Sequence, residues 1–400
     1  MTVETEARPD TSGWSCYTTS PAESMKLFEA VRGQCPVAHS DEHEGFHMLL
    51  NWRDVRGAMS DFRTFSSQPQ VLRPMLPRKP IPGLEMDPPQ HGAWRAIYNE
   101  AIKRATPDAM DGFIRADIRK HVAAFAPRGE CDIIAELCEP VPAETICFLM
   151  GITDADKVAD VRRTALAMFA AQGDPEAFGK RQAEFAAVTV TEVHARKAEP
   201  RDDFLTYLAG IEVEGRKLDD DDYVVLLAAF LGAGHHSTTS AMASLIWEIF
   251  SRPALRDRLR ADPKRIPAAV EEVLRLRPPF FGFFRRTTRE ASLPGTEIAP
   301  GQDVYCGWAA ANRDPDVFTN PSELDIDREN LRHMSFGFGI HSCPGAPLAR
   351  MELVILLEEL LALLPDLEPV GGPPAYEFGG GDYCFIPALD VRFTPKGARS

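Results

Sequence analysis

The chain has 400 residues, of which 44% are apolar, enough to bury a large core, and a formal net charge of −15 that disfavours a general nucleic-acid or anionic-membrane surface. Its eight cysteines form no C-x-x-C pair and follow no signal-peptide pattern, which excludes a secreted disulfide framework and predicts reduced thiols in a cytoplasm. The longest apolar run, 224–233, is too short to span a bilayer and no hydrophobic anchor precedes it, so a soluble monomer off the membrane is expected.

No linker, repeat or composition break follows the first twenty residues. A polar, disordered tail over 1–20 and a single domain over 21–400 are therefore expected. The pattern predicts a helix over 21–33, a strand over 46–50 and a helix over 54–59, with Arg56 and Arg63 seven apart near it. Prolines at 69, 74, 77, 80 and 82 make 68–83 an irregular loop, of a length that often serves as a binding loop or lid. Its Arg73, Arg78 and Lys79 are candidates for a substrate carboxylate, although such charges more often keep a loop solvated.

Asp87-Pro-Pro opens a helix on which His91 and Arg95, four apart, share one face. Two such donors suit a buried carboxylate, while an isolated pair of this kind is more commonly a solvated face. Helices follow over 153–172 and 175–197, joined by a Gly173-Asp-Pro turn. The longest periodic helix covers 219–250, and its middle, Gly232-Ala-Gly-His-His-Ser-Thr-Thr239, is small and polar for a buried helix. Small residues there would let a flat cofactor and a diatomic ligand lie against the backbone. Ser237, Thr238 and Thr239 could also bond back to preceding carbonyls. Glu272 and Arg275 are three apart, a weak signal alone. A proline pair, the phenylalanines 280, 281, 283 and 284, and Arg285-Arg286 come next. Short strands are expected over 292–303 and 385–393, and Gly379-Gly-Gly381 forms a loop whose tip reaches a pocket.

Phe336-Gly-Phe-Gly-Ile-His-Ser-Cys-Pro-Gly345 presents Cys343 just before a leucine-rich helix over 346–363. Glycines 337, 339 and 345 let the backbone turn tightly and approach something flat and large. Pro344 suits the first helical turn, where the helix dipole and free N–H groups favour a sulfur anion. An inert buried cysteine would explain neither the glycines nor His341.

F-x-x-G-x-H-x-C-x-G resembles the haem-binding signature of the cytochrome P-450 superfamily, and the order of the other motifs is similar over about residues 40 to 395. The resemblance, nearest to soluble bacterial members of the camphor-hydroxylating type, implies a mainly α fold with a small β region. It would be a single triangular helical domain with a long central helix over the haem. It implies haem b ligated by Cys343, with Phe336, Gly337 and His341 in its cradle and His91, Arg95 and Arg286 on its propionates. Arg328 would complete a buried ionic cluster with Glu272 and Arg275. The two helices over 153–172 and 175–197 would be a movable roof over the substrate. Where the family carries an acid followed by threonine, this chain has His236-Ser237, so His236, Ser237 and Thr238 are the expected proton relay.

The implied activity is monooxygenation with O2 and two electrons from outside. The chain has no flavin or nicotinamide fingerprint, so an iron-sulfur ferredoxin, with a ferredoxin reductase and NADH or NADPH, is the expected partner. Arg56, Arg63, Arg95 and Arg350 would form its docking patch. Ala229, Gly232, Ala233, Phe280, Phe281, Phe283, Phe284 and Phe385 are the expected pocket walls for a small hydrophobic substrate, terpenoid, aromatic or steroid-like, to be hydroxylated or O-dealkylated. A haem-based gas carrier and a peroxygenase rank lower. The latter's acid-binding arginine is missing between Asp222 and Glu248.

Overall fold

The computed structural model describes residues 9–35, 37–76, 78–105, 107–171 and 174–396. Residues 1–8 of the expected tail, Pro77 of the loop, and Gln172 and Gly173 between the two expected roof helices lie outside them.

The central helix, Asp220–Phe250, begins where the sequence supplies its own cap. The Asp219 carboxylate accepts from the Asp222 N–H at 2.9 Å and Asp222 accepts from the Asp219 N–H at 3.0 Å, putting acids at the positive end of the dipole. Leu226, Leu227, Leu231, Leu245 and Ile249 are buried along different faces, as befits a helix through the middle of a core. It packs against Pro140–Met150, Pro175–Ala198, Ile266–Leu276 and Ala346–Leu363. Two of its glycines are demanded by this packing. A Cβ on Gly232 would lie 2.8 Å from the Phe169 ring, and one on Gly234 would lie 2.5 Å from Ile146 Cδ1. The small residues thus first admit protein neighbours. Gly232 and Gly234 also line the cavity on their other side, together with Ala229 and Ala233.

A five-stranded sheet takes the order Val37–Ser40, Phe46–Leu49, Asp303–Gly307, Gly282–Thr287, Phe65–Ser66. Its pairs are antiparallel except the second with the third. The short strands expected over 292–303 are the hairpin Ala291–Leu293 with Thr296–Ile298 around Gly295, whose φ is +78°. That expected over 385–393 splits at Pro387, which cannot donate to a ladder. Cys384–Phe385 pairs with Glu377–Phe378, and Asp390–Arg392 with Glu368–Pro369 and Glu130–Asp132.

Gly282–Thr287 was not foreseen as a strand, and its period of two sorts its side chains. Phe284 joins Phe46, Phe28 and Tyr305 in a core on one face of the sheet. Phe283 and Arg285 point to the other face, towards Trp308 and His341. The disorder expected for the tail does not extend over residues 9–20. Trp14 is 3% exposed, lies 5.1 Å from Phe28 and 4.9 Å from Tyr305, and donates its indole N–H to Ser24 at 3.0 Å. One buried indole is enough to anchor an otherwise polar segment.

Candidate active site

The Cys343 loop is held from both sides. Gly337 and Gly339 take φ of +69° and +72°, and a Cβ on Gly339 would sit 2.5 Å from the Met59 carbonyl, so the helix Trp52–Ser60 fits against the loop only because glycine is there. Gly345 differs: its φ is −78°, and an added Cβ would merely touch Cys343 Sγ at 3.8 Å, so protein contacts alone do not call for glycine. The Cys343 N–H donates to the Phe336 carbonyl at 2.7 Å, which aims the side chain into a cavity of about 1200 Å³. Burial pushes the thiol up, more than the N–H groups of Gly345 and Ala346 and the nearby Arg95 and Arg350 pull it down. A cation on the sulfur would favour the thiolate.

Beside this loop lies a ring of unspent donors. His91 is 6% exposed and meets His341 edge-on at 4.6 Å between centroids. Among the described residues His91 Nε2 and both ring nitrogens of His341 have no hydrogen-bond partner, and the Asp87 carboxylate stands 4.0 Å from His341, beyond hydrogen-bond reach. Burial, with His341 and Arg95 as further causes, brings His91 down to about 4, and burial also lowers His341. Arg95 donates to the Ser342 carbonyl. Arg285, 3% exposed, donates to the Phe284 carbonyl at 2.8 Å; burial lowers its pKa, and it acts at short range on His341. Buried ring nitrogens without partners are costly, and a carboxylate-bearing group that accepts their N–H or N–H+ would satisfy them. Arg286 is corrected: it lies on the opposite sheet face, its side chain 42% exposed and 4.0 Å from Asp303, and its neighbour Arg285 occupies the place expected of it. The alternation of Phe283, Arg285 and Thr287 against Gly282, Phe284 and Arg286 was the sequence signal for this.

Ala229, Gly232, Ala233, His236, Ser237, Thr238, Phe280, Phe283 and Phe385 all line the cavity. Phe281 and Phe284 do not; both are buried in the sheet core, Phe284 by strand register and Phe281 from the residue just before the strand. Phe169, Phe178 and Gln182 line it from the helices Ala155–Ala170 and Pro175–Ala198, and Tyr383 from the glycine loop, none of which sequence singled out. His236 lies 4.8 Å from Phe169 and 5.6 Å from Tyr383, and burial lowers its pKa. Ser237 bonds back to the Ala233 carbonyl at 2.6 Å, and the Thr239 hydroxyl has no partner. In the proline-rich loop Arg73 is paired to Asp303 at 2.7 Å and Arg78 to Glu85 at 2.6 and 2.9 Å, so neither is spare for a ligand. Lys79 is exposed and bridges to Asp221 at 2.7 Å.

Glu272 and Arg275 are both fully buried and joined by two 2.8 Å bonds, with Arg328 reaching Glu272 at 3.1 Å. Arg275 also donates to the carbonyls of Asn312, Pro321 and Glu323, so the cluster pins the segment leading to the Cys343 loop. On the outer side of that loop Arg56 is exposed, over the rings of Trp52 and Phe338 at 5.1 and 4.9 Å; Arg63, also exposed, lies over the Phe62 ring at 5.1 Å. Arg95 is half-buried. Arg350 grips Glu271 at 2.6 and 2.9 Å. Burial pushes Glu271 up, but bonds from His333 and Arg350 outweigh it and hold Glu271 at about 2.

The family profile described as Cytochrome P450 matches residues 172–364. Cyclomarin C epoxidase CymV of Salinispora arenicola is 33% identical over 377 residues, covering 90% of this chain and 95% of that protein. The chain belongs to the cytochrome P450 family. The erythromycin C-12 hydroxylase of Saccharopolyspora erythraea is 35% identical over 83% of this chain and 85% of its own length. The crystal structure of the P450 CYP108D1 from Novosphingobium aromaticivorans superposes with a TM-score of 0.84 at 27% identity, covering 96% of this chain and 97% of that one. The mainly α fold with its small β region is thus the P450 fold, and the protein is a P450 monooxygenase. Family membership implies a haem-thiolate cofactor and the use of O2. Among the described residues no helix is long and apolar enough to cross a membrane.

Proposed function

We propose that this P450 inserts one oxygen atom from O2 into a hydrophobic molecule held in the cavity, with haem b bound between Cys343 and the central helix. The observation that carries the reading is the meeting, in one cavity, of the Cys343 thiol with His341, whose two ring nitrogens are without partners among the described residues and against which the buried His91 packs. Cys343 would hold the iron, Phe336 and Gly337 shape its loop, and His91, Arg95, His341 and Arg285 would hold the propionates. When bound, the haem supplies O2 activation and oxygen transfer.

The chain's own residues do the rest. Phe169, Phe178, Phe280, Phe283 and Phe385 exclude water and present apolar surface to the substrate. At about 1200 Å³ the cavity exceeds the ~300–1,000 Å³ usual for one small ligand, which suits a ring cofactor together with a steroid-sized or larger partner. Two relatives named for cyclomarin C and erythromycin support the larger end of that range. Hydroxylation, epoxidation and O-dealkylation all fit this wall. His236, kept neutral by burial, offers one ring donor and one acceptor beside Ser237, whose hydroxyl proton is engaged by Ala233 and whose oxygen accepts. We assign the proton relay to His236, Ser237 and Thr238. Electrons would arrive from an iron-sulfur ferredoxin on the Arg56 and Arg63 face. Arg350, its side chain 42% exposed while bonded to Glu271, would lie at the edge of that face.

Reconstitution with an iron-sulfur ferredoxin, its reductase and reduced nicotinamide tests both parts. His236→Ala and Ser237→Ala should lower product formed per nicotinamide consumed severalfold while haem content persists. Parental coupling in both variants would move the relay elsewhere. Reversing Arg56 and Arg63 to Glu should slow reduction about tenfold at low salt, with the difference shrinking as ionic strength rises. An unchanged rate across the salt series would remove this face from the docking account.

A further inference from the structure

The glycine loop that closes one wall of the cavity is fastened from inside and outside. It is the turn of the hairpin Glu377–Phe378 with Cys384–Phe385, and Gly379, Gly380, Tyr383 and Phe385 line the cavity. From inside, Tyr383 donates its hydroxyl to the His236 carbonyl at 2.8 Å, and Ser240 donates to the Cys384 carbonyl at 2.6 Å. Gly381, at φ +74°, lies so close to the cavity-lining Leu72 that a Cβ would meet it at 2.8 Å. From outside, the Gly381 N–H donates to the Tyr17 hydroxyl at 3.0 Å. Next to it Asp382, 2% exposed, has both carboxyl oxygens without a hydrogen-bond partner and abuts the Cys16 thiol and the Tyr305 hydroxyl. Tyr17 and Cys16 follow directly on Trp14, whose indole is locked in the sheet core.

We propose that Trp14–Tyr17 is a strap that fixes the position of the cavity hairpin, with Tyr17 and Asp382 as positioning residues for the substrate although neither lines the cavity. The proposal rests on this cavity being the substrate site. Trp14 supplies the fixed point, the Tyr17 hydroxyl holds the turn by its Gly381 N–H, and Cys16 closes over Asp382. A hydrogen bond of this kind contributes modestly to stability, yet here it acts on a turn of three glycines with little stiffness of its own.

Asp382 also makes the strap sensitive to pH. Burial pushes its carboxyl up to about 7. The groups facing it are Cys16 and Tyr17 from the strap and Tyr305 from the sheet; burial raises all three, so they stay protonated and none supplies a cation. Released from the strap, Asp382 returns towards its ordinary 3.8. The docked strap holds the proton more tightly than the free one. Docking is therefore strongest below pH 3.8, weakens as pH rises towards about 7, and is level above that.

Two measurements on the holoenzyme test this. At fixed pH, Tyr17→Phe should raise the Kd of a bulky azole, econazole, read by its optical shift, about threefold to tenfold, as loss of one hydrogen bond predicts, and leave 4-phenylimidazole unaffected. Its hairpin amides over 379–384 should exchange with deuterium faster by a similar factor. In the parent, exchange protection of those amides, corrected for the intrinsic rate, should fall between pH 5 and 7, and Asp382→Asn should flatten that profile. The strap is wrong if Tyr17→Phe changes neither the econazole Kd nor exchange, or if Asp382→Asn keeps the parental pH slope. Exchange needs no substrate or azole, so the strap fails separately from the cavity's assignment. Tyr17 is half exposed and its ring survives in phenylalanine, so that variant stays informative even if Asp382→Asn folds poorly.

Discussion

Cys343→Ser is expected to leave a folded apoprotein of parental thermal stability that, loaded with haem and reduced under carbon monoxide, no longer shows the strongly red-shifted Soret band of thiolate ligation. Stability should hold because the Cys343 side chain faces the cavity rather than the core, and serine differs by one atom. The band should vanish because a serine hydroxyl gives up its proton far less readily than a thiol, in a place where burial already disfavours the anion. The site contains its own competitor. His341, two residues away, has both ring nitrogens unpartnered and is held below its ordinary pKa by burial, hence neutral and able to ligate. A histidine-type spectrum in the unsubstituted protein would identify His341, not Cys343, as the ligand. The red-shifted band in the parent and its loss in the variant would exclude that.

Features that depend on a short stretch of chain were legible in the sequence. The Cys343 loop, the helix 346–363 behind it and the Glu272–Arg275 turn each need only local spacing, and the structure keeps their bounds. The central helix was legible too, from its acid cap and long apolar period. What was not legible depends on which of two faces a residue takes, or on a partner far away in sequence. Phe284 and Arg286 were both misplaced by one unforeseen strand, because shifting a period of two by one residue exchanges inside for outside. Trp14 was lost in a polar tail because its partners, Phe28 and Tyr305, include one almost three hundred residues away. That Gly232 and Gly234 also admit Phe169 and Ile146 was not legible, because those side chains come from other helices. The bond from Arg350 to Glu271 was not legible, because nothing local shows that Glu271 takes it.

Strand register gives the second large effect, a contrast between neighbours. Arg285→Leu should lower haem affinity about tenfold to a hundredfold, the loss of a charge-assisted pair with a carboxylate, whereas Arg286→Leu should leave it unchanged. The same two variants should move apoprotein stability in unequal ways. Arg285 is buried, donates to the Phe284 carbonyl and has Asp87 only as an electrostatic neighbour, so its desolvated guanidinium is a cost to the fold until a carboxylate bonds it directly. Leucine there should melt at the same temperature or higher before haem is added, and gain less on haem addition than the parent. Arg286 sits 4.0 Å from Asp303 on the solvent side, a pair worth about 0–1 kcal/mol, and Asp303 keeps its tighter bonds to Arg73 without it. Haem titration followed by absorbance, with melting curves of apo and loaded protein, reads both. If Arg286→Leu loses haem and Arg285→Leu retains it, the register argument fails. If both retain it, His91, His341 and Arg95 suffice to hold the carboxylates, and the buried guanidinium of Arg285 has no ligand to justify its cost.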